Sequence, residues 1–326
     1  MPQPTGGQVH IDAILTNISV AYLQNQDNFI ADKVFPVIPV DKKSNKFFTY
    51  TKNDWFRDEA QRRAGGTESA GGGYGLSTGS YSADVFAFHK DVDDQTLYNS
   101  DTPLNPLREA TEFVTRRLML RKEVQWNTDF FAGSIWTAGD YDGVSGTPST
   151  NETKQWSDYA ASDPINDIET AKAGILSTTG MEANTLVLGY DVFRQLKNHP
   201  DIVDRIKYTS SQTVTADMLA AMFDIPRVIV SKGVKATNNE GAAGVYAFTA
   251  GKKALLCHVA PNPGLLTPSA GYSFAWTGVS GGLGATVGTS QFRMEHLKAD
   301  RIEAEMAFDN KVIAADLGWF WDTIVA

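Results

Sequence analysis

Cysteine is nearly absent from this chain of 326 residues: Cys257 stands alone, so neither an internal disulfide nor a cluster of thiolate ligands can form. It sits in the apolar run Ala254-Leu-Leu-Cys-His-Val259, where a buried core thiol is the expected state. Histidine is scarce too. His10, His89, His199, His258 and His296 are widely separated and none belongs to an H-E-x-x-H arrangement, so no metal or cofactor is expected. No stretch approaches the roughly 18 consecutive apolar residues of a membrane helix. The opening Met1-Pro-Gln-Pro-Thr-Gly-Gly-Gln has neither a basic start nor an apolar signal region, so the expected compartment is the cytosol. Positive charge is in deficit, with 29 Lys and Arg against 38 Asp and Glu and a formal net charge of −9. That balance argues against a sequence-reading nucleic-acid module, whose phosphate contacts need clustered Lys and Arg. A container for nucleic acid is not excluded by it.

Catalytic signatures are also missing. Gly278-Val-Ser-Gly-Gly282 matches the nucleophile-elbow pattern, but the helix that must follow would have to form from Leu283-Gly-Ala-Thr-Val-Gly288, which is too rich in glycine. The order expected downstream is acid then histidine, whereas His296 precedes Asp300 and no histidine follows. The glycine clusters give neither G-x-G-x-x-G nor G-x-x-x-x-G-K-[ST], so no phosphate-cradling loop is indicated. Asp91-Val-Asp-Asp94 and Asp140-Tyr-Asp142 are acidic pairs without an EF-hand continuation, and solvated loop charge is the expected role. A non-enzyme is the main expectation; an intracellular hydrolase or a carbohydrate-binding protein is the remote alternative.

What is present is a folded chain, 42% hydrophobic, with 28 glycines gathered in clusters. Residues 1–45 read as an extended arm with one short helix at Ile11 to Leu23, then Phe35-Pro-Val-Ile-Pro-Val40, whose prolines forbid a helix. Such an arm gains little by packing on itself and is expected to lie on a neighbour. Lys46-Phe-Phe-Thr-Tyr-Thr-Lys52 and Tyr81-Ser-Ala-Asp-Val-Phe-Ala-Phe-His-Lys90 have strand composition and are expected to pair as a long hairpin. Between them, Trp55 to Gly75 is rich in charge and glycine, a length of loop that is usually functional or disordered. Thr102-Pro-Leu-Asn-Pro106 supplies the start of a helix expected to run from Leu107 to about Trp136, with Leu107, Ala110, Phe113, Val114, Leu118 and Val124 as its apolar stripe. Arg116, Arg117, Arg121, Lys122 and Glu123 are expected on its remaining surface.

Residues 137–160 are polar and rich in turns, and Asp163-Pro164 then caps a helix through Leu176. Thr185-Leu-Val-Leu-Gly189 is a short apolar strand. Amphipathic runs at Tyr190–Tyr208 and Thr215–Phe223 follow it, and Ile225-Pro-Arg-Val-Ile-Val230 returns as a strand, a crossover long enough to be parallel. Val245–Thr249 and Lys253–Val259 are expected to form a hairpin. Arg301-Ile-Glu-Ala-Glu-Met-Ala-Phe308 alternates so that Ile302, Ala304, Met306 and Phe308 share one face, with a turn at Asp309-Asn310 and another apolar strand at Val312 to Ala315.

Arm, hairpin loop, long helix, compact α/β unit and terminal alternating strand stand in an order that resembles the major capsid proteins of tailed bacteriophages, of the Hong Kong 97 type. Asn184-Thr-Leu-Val-Leu-Gly189 leading to Phe193-Arg-Gln-Leu196, and Ile225-Pro226-Arg227, are the stretches most similar to that family. The resemblance implies an α+β fold with an N-terminal arm (1–45), an extended β-hairpin loop (46–95) and a peripheral domain with a long spine helix (96–162). An axial α/β domain (163–290) and a return to the peripheral domain with a terminal strand (291–326) complete it. It further implies a structural head protein of the virion, assembled in host cytoplasm into hexamers and pentamers of an icosahedral shell around double-stranded DNA held without sequence preference. Portal and scaffolding proteins, and a decoration protein, are the implied partners, with no membrane involved and the scaffold a separate protein. Lys42, Lys43, Lys46 and Lys52 lie only at the base of the loop, so covalent crosslinking is not expected. An encapsulin-type bacterial compartment shell is the alternative on the same fold. Trp55, Phe56, Arg57, Arg62 and Arg63 are the expected contacts between subunits, because aromatics and arginine are enriched where interfaces are energetically important.

Overall fold

Residues 24–50, 52–100, 104–206, 214–264, 266–279 and 287–326 are described by a computed structural model. The expected helix at Ile11–Leu23 lies outside them. The described residues build two sheets and two separate ribbons. The larger sheet has the order β6 (Glu152–Lys154), β5 (Gly139–Val144), β15 (Gly318–Asp322), β11 (Ala254–Cys257), β7 (Thr185–Gly189), β8 (Arg227–Ser231). The smaller places β14 (Ala299–Val312) against β12 (Gly271–Trp276), β13 (Gly288–Met294) and β4 (Asp84–Asp93), with β1 (Val37–Val40) beyond β12.

The crossover forms as its composition predicts. β7 is apolar and buried along its whole length, which suits an interior strand covered on both faces. Helices α5 (Tyr190–Asn198), α6 (Pro200–Ile206) and α7 (Ala216–Phe223) then carry the chain to β8, which pairs with β7 in parallel. Ahead of β7, α4 (Pro164–Thr179) begins where the Asp163 side chain accepts the Asn166 N–H and a proline fills the first turn; it ends at Gly180, whose φ of 67° is left-handed.

The long helix α3 (Pro106–Phe130) would measure about 37 Å. It stops short of Trp136 because Phe131 leaves helical geometry and Ser134 turns with φ 63°. Trp136 instead folds back, buried, and its indole N–H donates to the Phe130 carbonyl at 2.8 Å. The buried positions are Ala110, Val114, Leu118, Lys122, Trp126 and Phe130, spaced by four, together with Glu123. Four residues advance about 400° around a helix, so this stripe drifts about 40° per step and about half a turn in all. Its first half therefore meets Val92, Ile302, Ala304, Met306 and Phe308 of the smaller sheet, while Trp126 and Phe130 enter the core of the larger one. Lys122 and Glu123 lie at the crossing and are buried, not on the solvent face expected for them.

Several pairings differ from the expected ones. β2 (Ser44–Tyr50) pairs with β3 (Leu76–Ser82) as a hairpin, but Tyr81–Lys90 is not one strand. The chain corners at Ala83, which is fully buried and donates its N–H to Lys43 O at 2.8 Å, and β4 leaves to pair with β14. β14 continues through Asp309-Asn310 without turning, because Asn310 finds side-chain partners in Ser273 and Asp129, each at 2.8 Å, and β12 pairs there. The apolar stretch after it is not a strand beyond Val312; a 3₁₀ turn at Ala315–Leu317 leads into β15. β11 does not form a hairpin with Val245–Thr249. It is buried throughout and lies between β7 and β15, leaving β10 (Tyr246–Phe248) to pair with β9 (Val234–Ala236) as a ribbon. The arm's base also departs from expectation, since Ile30, Ala31, Val34 and Phe35 are buried in this subunit's own core.

Candidate assembly surface

The β2–β3 ribbon is rooted on the smaller sheet and unsupported above it. Phe47 stacks on Phe274 at 5.5 Å, and Tyr81 stacks on the same ring at 4.6 Å. Opposite Phe47 the register places Gly79, where a Cβ would lie 2.3 Å from the Phe47 ring, so the bare glycine lets that ring close over the ribbon. Beyond this root both outer edges of the ribbon are unpaired among the described residues. Phe48 and Leu76 are exposed although both lie in strands.

From the ribbon's end the chain makes one helical turn, α1 (Lys52–Trp55). Asp54 accepts the Gly75 N–H at 2.7 Å, which brings the two ends of the loop together. Around that closure Tyr50, Trp55 and Tyr74 form a cluster, with ring centroids 5.6 Å apart for Trp55 and Tyr74 and 6.3 Å for Tyr50 and Trp55. The cluster faces water: Trp55 is 53% and Tyr74 64% exposed. Phe56 is 61% exposed and touches the rest of the subunit beside Gly180, its Cζ 3.6 Å from where a Cβ there would stand. Lys52 pairs with Asp316, which ties the loop's base to the larger sheet.

Of the five expected contact residues, Trp55 and Phe56 are adjacent in the exposed aromatic patch. Arg57 lies 3.6 Å from Glu59, an exposed pair of small energetic weight. Arg62 and Arg63 are exposed farther along the loop, where Ala64 O accepts the Thr67 hydroxyl at 2.9 Å in a tight turn. Sequence reasoning missed Tyr50, Tyr74, Phe48 and Leu76. The aromatic density of Lys46-Phe-Phe-Thr-Tyr50 was the available signal for two of them.

Buried polar groups elsewhere do structural work. Ser162, His199 and Asp201 lie in the spatial order of a hydrolytic triad, with Ser162 Oγ 3.1 Å from His199 Nε2 and the Asp201 carboxylate 3.6 Å from Nδ1. The hydrogens run the wrong way for that chemistry. The serine hydroxyl donates to Asp158 O at 2.7 Å, and Nδ1 accepts the Asp201 N–H at 3.3 Å, so Nε2 carries the proton and donates to serine. A general base needs the opposite tautomer. His199 is fully buried, and burial holds its pKa below the usual imidazole value despite the opposing pull of Asp201. Burial likewise pushes the Cys257 thiol up, leaving it inert. The acidic stretch 91–94 is consumed by structure: Asp91 forms a two-point pair with Arg301 at 2.7 and 2.8 Å, Asp93 caps α2 (Asp94–Tyr98), and Asp94 pairs with Arg293. Hydrogen bonding to Arg301 is the main reason the Asp91 pKa lies below its ordinary value. No group of three metal-ligating side chains occurs among the described residues, and no helix among them is long and apolar enough to cross a membrane.

Residues 143–270 match the family described as phage major capsid protein E. The major capsid protein of Burkholderia phage BcepMu is 26% identical over 239 residues, spanning 71% of each chain. That of Pseudomonas phage JBD67 is 30% identical over 198 residues, 59% of this chain and 58% of its own. Together these matches support reading the chain as a phage major capsid protein.

Solved structures agree on the fold of this capsid protein. A phage-related protein from Bordetella bronchiseptica RB50 superposes with a TM-score of 0.68 at 23% identity, over 92% of this chain and 94% of that one. The capsid of cyanophage P-SCSP1u gives 0.61 at 10% identity, over 95% and 92%. The SrpI encapsulin of Synechococcus elongatus PCC 7942 gives 0.58 at 11% identity, over 95% and 93%. The mixed α/β architecture is thus that of phage capsid subunits, and an encapsulin shares it. The named relatives, being phage major capsid proteins, favour the tailed-phage shell over the compartment. Capsid proteins assemble into multimeric shells with copies of themselves and form a structural, non-enzymatic family.

Proposed function

We propose that the capsid protein forms hexamers and pentamers of an icosahedral shell enclosing double-stranded DNA, in the Hong Kong 97 manner. In this reading residues 46–95 are the extended loop, α3 is the spine of a peripheral domain spanning 96–162 and 291–326, and 163–290 is the axial domain. Residues 1–45 supply the arm. Scaffolding and portal proteins, and a decoration protein, join the shell as it is built in host cytoplasm, and the DNA is held without sequence preference; the net charge of −9 argues against a sequence-reading surface.

One observation carries the proposal: the ribbon ends in Trp55, Phe56 and Tyr74, all more than half exposed, with Arg57 next in the chain and Arg62 and Arg63 exposed farther along the loop. An isolated two-stranded ribbon is marginal in water. Laid across an adjacent subunit, it would exchange that exposure for interface burial at about 25 cal/mol per Å² of apolar area, less the cost of ordering the loop. Each contact is weak, and repetition closes the shell. Deleting residues 55–75 is expected to leave folded subunits that form no stable particle. Intact, heat-stable particles of that variant in electron micrographs would refute the assignment.

A further inference from the structure

A second ribbon and a groove are left uncovered within one subunit. The ribbon is β9–β10, held together by three residue pairs and joined to no other strand among the described residues. Its base is fixed. The Gln24 side chain donates to Val234 O at 2.6 Å and accepts the Val234 N–H at 2.9 Å, and Phe248 packs on Tyr190 with ring centroids 5.1 Å apart. Its far end carries Val245 and Tyr246, 57% and 71% exposed. Across residues 231–249 the charged side chains are Lys232, Lys235 and Glu240, a positive balance in an acidic protein.

The groove lies between α4 and α7 and holds about 600 Å³. Ala173, Leu176, Ala220, Ala221 and Ile225 give it an apolar lining, and Leu176 is 44% exposed. Its rim carries three carboxylates, Glu169, Glu182 and Asp224, against the single cation Lys172. Lys172 is already engaged, donating to Phe223 O at 2.8 Å and pairing with Glu169 at 3.2 Å. The groove therefore presents a negative balance around an apolar floor, the converse of the ribbon.

We infer that the β9–β10 ribbon of one copy seats Val245 and Tyr246 in the α4–α7 groove of the next, with Lys232 and Lys235 set against the rim carboxylates. The two surfaces differ, so the contact is head-to-tail, and successive contacts of that kind close into a ring where the rotation between copies closes. A ribbon prefixed by Gln24 and Phe248 loses little freedom on docking. The inference rests on the shell reading above but concerns surfaces distinct from the β2–β3 loop.

The test is a full-length chain carrying Tyr246→Cys and Leu176→Cys; the native Cys257 is buried and takes no part. Mild oxidation of assembled particles is expected to give a ladder of disulfide-linked subunits on a non-reducing gel, absent from either single variant. In parallel, Asp224→Lys is expected to raise the concentration needed for assembly roughly tenfold, and Lys235→Glu in the same chain to restore it. Particles that form normally yet show no link between copies, or only a link within one copy, overturn the docking and leave the shell reading standing. A link solely to a co-purifying protein overturns it in favour of a foreign partner. Unmodified protein that forms no closed particle overturns both.

Discussion

Glu123 of α3 accepts the backbone N–H of Ala31 at 2.9 Å, 92 residues away in sequence. The same oxygen accepts the Ile30 N–H at 2.9 Å, and the other carboxylate oxygen takes the Ser231 hydroxyl at 3.3 Å. One buried side chain thus joins the arm's base, the long helix and the end of β8. Burial raises its pKa above the ordinary value, and the two N–H donors work against that rise.

Replacing Glu123 by Ala would orphan two buried N–H groups and leave the Ser231 hydroxyl only its 3.4 Å contact with Thr249 Oγ1. A loss on the order of 3 kcal/mol is expected, with a smaller loss for Glu123→Gln, which keeps an acceptor. Denaturant unfolding measures the loss, and limited proteolysis should find new cleavage between residues 24 and 35. Equal stability of the Ala variant would show that the clamp contributes nothing.

Asp167 accepts the Trp156 indole N–H at 2.8 Å and its pKa is pushed up to about 6, chiefly by burial and further by Asp163. A carboxyl raised in the folded state binds its proton more tightly there than in the unfolded chain. The stabilisation is therefore complete below about pH 4 and is lost as pH rises through about 6. Asp167→Asn keeps an acceptor for Trp156 and removes the titration. Wild-type stability relative to this variant should decline between pH 4 and 6.5, followed by Trp fluorescence during urea unfolding; a constant difference would contradict the assignment.

Gly189 closes β7 against the turn before β11. A Cβ there would stand 1.9 Å from Gly251 O, a backbone atom that cannot swing aside. Gly189→Ala is expected to cost roughly 3 kcal/mol or more by parting β7 from β11. Gly71→Ala, with open space around its Cβ, is the control and should leave the melting temperature unchanged.

Local signals foretold much of the fold. The β7 to β8 crossover was legible because a short apolar run, amphipathic segments and a proline bound one another within some 45 residues. α4 announced itself through Asp163-Pro164, and β14 through its alternation. Trp55 and Phe56 were legible as interface candidates from residue type alone, whereas their clustering with Tyr50 and Tyr74 needed Asp54 to close the loop on Gly75.

Composition and spacing by themselves determined the crossover segments, the helix opened by Asp163-Pro164 and the alternating strand, and that one cysteine and scattered histidines leave no catalytic or metal chemistry to expect. Only the tertiary structure decided partners: β4 with β14, β11 between β7 and β15, Glu123 under Ile30 and Ala31. The reason is physical. Propensity and capping act over a few residues, but strand pairing and the burial of a charge depend on donors and surfaces brought together from far along the chain, whose identity no local pattern encodes.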